Sequence, residues 1–466
     1  MKTLWDKKAV KAEAEKKPEG NWFFRFTAEE DQALDRALVP YDIMVNLAQA
    51  RMLHKSGVYG DNGLKKVLSA LFMAWDHWTE GTFDLGPDDE DVHSAVEKYL
   101  TEQAGEDGAR IHAGRSRNDQ VLADMRLYLK DMSAAVAAEW FDIARRLEEI
   151  ARKSAGVFFA GMTHTQPAMP HSADAWCAGY LDMLLSDLKS LQAATVALDR
   201  SPLGSAAGYG VPGIPVDREF LAEQLGFREV QTAVAAAQLS RGRMEMQWVD
   251  ALFYGVHTFN RMASDVIFFM HPSLGLVTLS EDQVSGSSIM PQKRNPDAWE
   301  LIRASSHELS AARSFLSGIA ANLTSGYHRD LQLIKKSVMS AADRSLRVAE
   351  AVKHALSGLE FSRDGAQKSL CSEIYATHRA NELVLGGMPF REAYRMTAGE
   401  LEKAREINPG ESSKVYKHSG APGSGIPDSL VRNLDEIEKW FDSEMKNGEI
   451  VLQGLLTWPS GLEHTQ

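Results

Sequence analysis

The chain has 466 residues, 44% hydrophobic and 25% charged, which suits a soluble globular protein with a large core and room for several domains. Its net charge of −13 argues against nucleic acid as the main partner, because phosphate binding needs clustered Lys and Arg, whereas a small anionic substrate needs only a local pocket of positive charge. Two cysteines, Cys177 and Cys371, are too few for a disulfide framework or a thiolate metal site and point to a reducing cytoplasm.

The opening "MKTLWDKKAVKAEAEKK" mixes charges and lacks an apolar run, so it does not read as a signal peptide. Its Lys/Glu-rich part reads as a solvated tail or surface helix. Residues 1–112 carry short helical patterns broken at Gly60, Gly63, Gly81 and Gly86, and are expected to form an N-terminal helical domain.

"HAGRSRNDQ" (112–120) then opens a long helix. From Arg115 to Ala155 there is neither Gly nor Pro. Leu129, Met132, Val136, Trp140, Ile143, Leu147 and Ile150 recur there in steps of three and four, the seam of a packed helix. Such a helix is roughly 60 Å long at its usual rise per residue. Asn118, Asp119 or the slightly earlier Ser116 can cap it. Two Arg, a Ser and an Asn beside a helix N-terminus also describe an anion site.

"GMTHTQPAMPHS" (161–172) places Thr163, His164, Thr165 and Gln166 in a row, in what reads as an inter-helix loop with Pro stops. Taken singly, one His among 14 is ordinarily structural. Four more long helices are expected at about 172–201, 229–271, 296–324 and 328–357, with Pro170, Pro202, Pro272 and Pro296 at their boundaries. The apolar window "VDALFYGVHTFNRMASDVIFFM" carries Arg261 and two Asp, so it reads as a buried helix and not a membrane span. Strand signals are sparse, "GLVTL" being one short run. The expected fold is all-α. Residues 113–365 form a central up-and-down bundle of five long helices, and 366–466 form a C-terminal helical domain. That last part holds the Gly/Pro-rich "SGAPGSGIPDS" before an amphipathic "LVRNLDEIEKWFDSEM".

"GSSIMPQKRNPD" (286–297) lies in the connection from Pro272 to Asn295, and a connection that long is usually functional or disordered. Gly286 and two Ser allow mobility and close approach of backbone N–H groups to a ligand. Lys293, Arg294 and Asn295 add donors, and the next helix starts at Pro296 with Asp297 and Glu300 in its first turns, where the helix dipole favours acids. The three polar stretches together describe a site rich in donors for carboxylates, with one His for proton transfer. No metal-ligand cluster, Walker loop, dinucleotide fingerprint or nucleophile elbow is present, so neither metal nor organic cofactor is expected. On residue chemistry alone His164 is the natural base, since Ser is a poor one at its ordinary pKa.

"GSSIMPQKRNP" resembles the signature of the fumarase/aspartase superfamily, whose members release fumarate from a succinyl group by anti elimination. "GRSRNDQ", "THTQ", "PQKRNPD", "YHRDLQ" and "GMPFREAY", with "DEDVH" (89–93) and "PLGSAAG" (202–208), narrow the likeness to argininosuccinate lyases and their delta-crystallin relatives. The resemblance runs from about residue 25 to residue 400. It implies a three-domain fold and cleavage of argininosuccinate to arginine and fumarate. It also implies a homotetramer whose long helices form a shared core and whose sites are built from three chains. Helix length points the same way: 112–120 and 161–172 lie at opposite ends of one helix, so one site using both needs a second subunit. By the same resemblance Ser287 is the base, acting as an alkoxide, and His164 is the acid for the leaving guanidinium nitrogen, oriented by Glu300. Lys293 and Asn295, with backbone amides near Gly286–Ser288, suit the carboxylate that gains charge. Ser116, Asn118 and Thr163 would hold carboxylates, and Arg117, Gln166, Tyr327 and Gln332 would orient the substrate.

Several positions depart from the family pattern. "LWDKKAV" lacks its "WGGRF". Val45-Asn46 and Gln49 stand where relatives carry Gly-Ser and His, "DLQLIK" has Leu-Ile in place of two acids, and "THTQPAMP" differs after Gln166. A lyase acting on adenylosuccinate or another N-succinyl compound is the competing enzyme, though such enzymes usually lack "GRSRND". A non-catalytic crystallin-like protein is the competing reading from another class.

Overall fold

Residue 22 and residues 25–86, 89–401, 415–416 and 418–462 are described by the computed structural model, which is all-α apart from three two-stranded sheets among those residues. The Lys/Glu-rich opening and "LWDKKAV" lie outside the described residues. In the N-terminal part, α1 (Glu30–Asp35) leads into α2 (Val39–Lys55), α3 (Asp61–Thr79) and α4 (Val92–Ala104); these last three pack together, with α2 also against the long helix that follows. Asp91 caps α4 by accepting the Ser94 N–H at 2.7 Å.

That long helix, α5 (Arg117–Lys153), is bounded by its own sequence. Ser116 and Asp119 form a capping box at its start, and Arg152 and Lys153 meet the negative end of its dipole. Leu129, Val136, Trp140, Ile143, Leu147 and Ile150 are all buried, as the spacing predicts. The chain then reverses through β1 (Phe158–Thr163) and β2 (Gln166–Ser172) into α6 (Ala173–Leu198). The bundle is completed by α7 (Arg243–Phe269), α8 (Asp297–Ala320) and α9 (Ile334–Ser357); α5 packs on α6 and α9, and α7 on α6 and α8. The "GLVTL" run supplies β3 (Val277–Leu279), antiparallel to β4 (Leu359–Phe361). No helix of the described residues is long and apolar enough to cross a membrane.

Three expectations need correction. Residues 229–271 are not one helix: a two-residue strand and the short helix Val234–Leu239 precede a break at Gly242. Gly242 has φ +78°, and an added Cβ would lie 2.8 Å from the Ala320 Cβ, so only glycine fits this left-handed turn. The helix expected from 328 starts at Ile334, after an extended His328 and a 3₁₀ turn at Arg329–Leu333. The expected loop at 161–172 is a β-hairpin, with Thr163 paired to Gln166 and Phe158 to Ser172. Pro167 and Pro170 are tolerated because a two-stranded ribbon consists only of edges.

A continuous apolar core runs through the bundle, with Trp140, Trp248 and Trp299 fully buried. Trp248 donates its indole N–H to Ser133 Oγ at 2.7 Å, and Trp140 meets Phe259 edge-on. Gly255 on α7 sits against the Trp140 ring, where a Cβ would lie 2.2 Å from Cζ2. Gly255→Ala is therefore expected to destabilise the fold by about 1–3 kcal/mol through overpacking. The urea midpoint should fall with the m-value unchanged, and an unmoved midpoint would show that the Trp140 ring yields.

Candidate active site

The N-terminal end of α5 gathers the first group of polar residues. Ser116 Oγ accepts the Asn118 N–H at 3.3 Å, and Asp119 Oδ1 accepts the Ser116 N–H at 3.0 Å. The other Asp119 oxygen accepts the Ala206 N–H at 2.7 Å, which ties "PLGSAAG" to this end. Burial pushes the Asp119 carboxyl up to about 6, against the pull of those amides. Burial, with Arg115 and Arg117 nearby, pushes His112 down to about 4, so its ring is neutral near pH 7.

Arg117, Asn118, Tyr327 and Gln332 line one cavity of about 150 Å³. Ser116 is not among its lining residues; the Ser116 hydroxyl caps the helix. Arg117 Nη1 lies 2.6 Å from Asp91 Oδ2 and 3.6 Å from Glu90 Oε2. Gln332 donates to the Thr27 carbonyl at 2.7 Å and accepts from Arg329 Nε at 3.1 Å. The Arg241 guanidinium stacks over the Tyr327 ring at 4.8 Å.

The second group lies at the opposite end of the bundle, about 55 Å away along α5. His164 and Thr165 form the two-residue hairpin turn with φ of 54° and 60°, a left-handed pair of the kind that closes tight hairpins. The turn leaves Thr163, His164 and Gln166 exposed at its tip. At the hairpin's base Phe159 stacks on Phe361 of β4 at 6.0 Å, which sets this hairpin beside the β3–β4 ribbon and the segment that follows β3. That segment holds Ser287, Lys293 and Asn295, and Glu300 follows in the first turn of α8. Ser287 is partly exposed, and its Oγ accepts the N–H groups of Ile289 at 3.4 Å and Met290 at 3.2 Å. Lys293 and Glu300 are exposed. Among the described residues no hydrogen bond or ion pair joins His164 to Glu300 within one chain. Within one chain the three stretches thus fall into two groups, 112–120 at one end of α5 and the 161–172 hairpin with the 286–297 segment at the other.

The cavity also holds charged residues that sequence reasoning missed. Lys335 is buried between Asp31, at 2.9 Å, and Asp35. Burial would lower the Lys335 pKa, but the two carboxylates more than offset it and the group is held charged. Glu245 enters from α7 and Arg241 from the turn just before it. The visible signal was slight: Asp31 and Asp35 are one helical turn apart, a spacing that ordinarily marks a solvated face.

His93, one of the cavity-lining residues, leads into a largely buried polar cluster behind the wall. His93 Nδ1 is 2.7 Å from Asp42 Oδ1, Asn46 donates to Asp42 Oδ2 at 2.9 Å, and Arg115 donates to Asn46 Oδ1 at 2.7 Å. Gln49 donates to the Ala113 carbonyl at 2.7 Å. Asn46 and Gln49 therefore brace the 112–120 segment from behind, and they and the buried Val45 are not among the residues lining the cavity. Of the "DLQLIK" departures, Ile334 lines the cavity and Leu333 is exposed. Asp42, His93 and Asp124 bring ligand-type atoms within 4.8 Å of one another. Nδ1 is already committed to Asp42, and the half-buried Arg115 guanidinium adds positive charge, so the cluster reads as a charge network and not a cation site.

A family model described as "Lyase" matches residues 24–309. The chain is 39% identical over 382 residues to the argininosuccinate lyase of Thermotoga neapolitana, covering 82% of this chain and 96% of that one. It is 37% identical over 438 residues to the argininosuccinate lyase of Stenotrophomonas maltophilia, covering 94% and 98%. Among solved structures, an EDDS lyase in complex with formate superposes with TM-score 0.78 at 18% identity, covering 91% of each chain. The class II fumarase of Schistosoma mansoni superposes with TM-score 0.66 at 15% identity, covering 89% and 91%. These two likenesses concern the fold.

Proposed function

The chain belongs to the argininosuccinate lyase family, a lyase that cleaves argininosuccinate to arginine and fumarate, and from that premise we propose how its residues do so. Ser287 removes the proton from the carbon next to a carboxylate of the succinyl part. The electron pair moves onto that carboxylate, which becomes nearly dianionic. Lys293, Asn295 and backbone amides of Gly286–Ser288 stabilise this charge. The C–N bond then breaks, its electrons go to the guanidinium nitrogen, and His164, oriented by Glu300 of a neighbouring active-site segment, protonates that nitrogen.

Asn118, Thr163 and the Ser116-capped helix start hold carboxylates. Arg117, Gln166, Tyr327 and Gln332 orient the rest of the substrate. The mixed-charge cavity suits an amino acid, with carboxylates such as Asp31 for cationic groups and Arg241 for an anionic one. The observation that carries the base assignment is the state of Ser287 Oγ. It is a partly exposed hydroxyl that already accepts the N–H groups of Ile289 and Met290, donors that could serve an alkoxide in the same place.

The working molecule in this proposal is a homotetramer. Two half-sites at opposite ends of a rod meet when bundles pack side by side and antiparallel. Apolar side chains left exposed on three bundle helices support that packing: Met183 on α6, Tyr254 and Phe268 on α7, Leu301 and Phe315 on α8. The division at 112/113 and 365/366 and a cytoplasmic location, suggested by two unpaired cysteines, belong to the same proposal.

Mixing provides the test. Ser287→Ala and Asn118→Ala homo-oligomers, each inactive alone, are dissociated, combined and reassociated. Fumarate release from argininosuccinate, followed by ultraviolet absorbance, should return to about a quarter of the wild-type rate, the share of sites drawing intact residues from both parents under random assembly. No recovery from a mixture shown to exchange subunits would place both residues in one chain's site.

A further inference from the structure

The catalytic loop is closed at its root by a small clasp. Ser285 N–H donates to the Asn295 carbonyl at 3.1 Å, and Asn295 N–H donates to the Ser285 carbonyl at 2.9 Å. This is a single antiparallel bridge, and the Asn295 side chain adds to it by donating Nδ2–H to Ser285 Oγ at 3.3 Å.

Both roots of the clasp stand on rigid parts of the bundle. On one side Gln283 donates to the His354 carbonyl of α9 at 2.6 Å. On the other side Asn295 is followed by Pro296, the N-cap of α8, and by the fully buried Trp299. Residues 286–294, between the roots, are mostly exposed. Within them Gly286 imposes no steric fit, since an added Cβ would meet nothing within 4 Å.

We propose that Ser285 is a positioning residue: its hydroxyl holds the Asn295 carboxamide and so fixes the root of the loop two residues before Ser287. The idea rests on the assignment of Ser287 as base for its effect on turnover, but not for its effect on the loop. The clasp also gives Asn295 a defined partner before substrate arrives. On closure its amide exchanges the Ser285 hydroxyl for a substrate carboxylate, a swap in which that N–H has an acceptor at both stages.

The loop carries its own reporter, because trypsin cuts after Lys293 and Arg294. Ser285→Ala should be nicked there about tenfold faster than wild type, and its kcat should fall about tenfold with KM within about twofold, the scale set by one hydrogen bond. Ser285→Thr keeps the hydroxyl and should return both readouts to within about threefold of wild type. Circular dichroism and the thermal midpoint of each variant confirm that the bundle is intact. Wild-type nicking and kcat in Ser285→Ala would overturn the clasp. A lowered kcat with unchanged nicking would also overturn it, since the hydroxyl would then be acting on the reaction and not on the loop. A Thr variant that behaves like the Ala variant removes the hydroxyl from the account. Should Ser287 not be the base, Ser287→Ala would retain turnover, whereas faster nicking of Ser285→Ala would still be seen, so the two failures are separable.

Discussion

Ser287→Ala is expected to lower kcat at least about a thousandfold, near the upper end of what one acid–base group supplies. The proton to be removed is weakly acidic, and no other group on the 286–297 segment combines an exchangeable proton, partial exposure and adjacent amide donors in the same way. The bundle should not notice the change. Among the described residues the Ser287 hydroxyl accepts from the N–H groups of Ile289 and Met290 alone, both on the exposed loop, and the loop root is held by Ser285 and Asn295. Circular dichroism and oligomeric state should therefore match wild type. The alkoxide reading requires this separation between chemistry and fold. A Ser287→Ala enzyme that keeps a tenth or more of wild-type kcat would falsify it and return the base role to His164.

What could be read from the sequence follows physical range. Helix α5 was legible because a long stretch without Gly or Pro and a steady three-four spacing are local signals, and Ser116 with Asp119 marks its start. Residues 229–271 read as one helix because Gly242 looks like any helical glycine until its positive φ and its closeness to Ala320 are known. The hairpin at 158–172 was hidden by Pro167 and Pro170, which read as loop residues unless the ribbon is known to be two-stranded. The site divides in the same way. The donor-rich stretches are contiguous and stood out, whereas the Lys335–Asp31–Asp35 cluster joins residues 300 positions apart and leaves no local trace. The departures at Val45, Asn46 and Gln49 carry no local sign of their place. Only the folded contacts show Asn46 and Gln49 supporting Arg115 and Ala113, with Val45 buried.

His164→Asn is expected to lower turnover by about a hundredfold to ten-thousandfold, but by a different route. On residue chemistry alone His164 is the better base, so loss of activity in both variants does not by itself assign the roles. Hydrogen exchange does. If Ser287 takes the carbon-bound proton and His164 is needed only to protonate the departing nitrogen, the Asn variant still forms the carbanion. Argininosuccinate recovered from that variant in deuterium oxide should then carry deuterium at the carbon that loses its proton, while substrate recovered from Ser287→Ala should not. The hairpin geometry makes the comparison clean. His164 projects from an exposed turn, and the left-handed φ of 54° is one that Asn adopts readily, so the substitution keeps the turn while removing the ring. Exchange in Ser287→Ala with none in His164→Asn would invert the assignment: His164 would be the base, and the amide-cradled Ser287 hydroxyl would serve as a donor to the developing dianion.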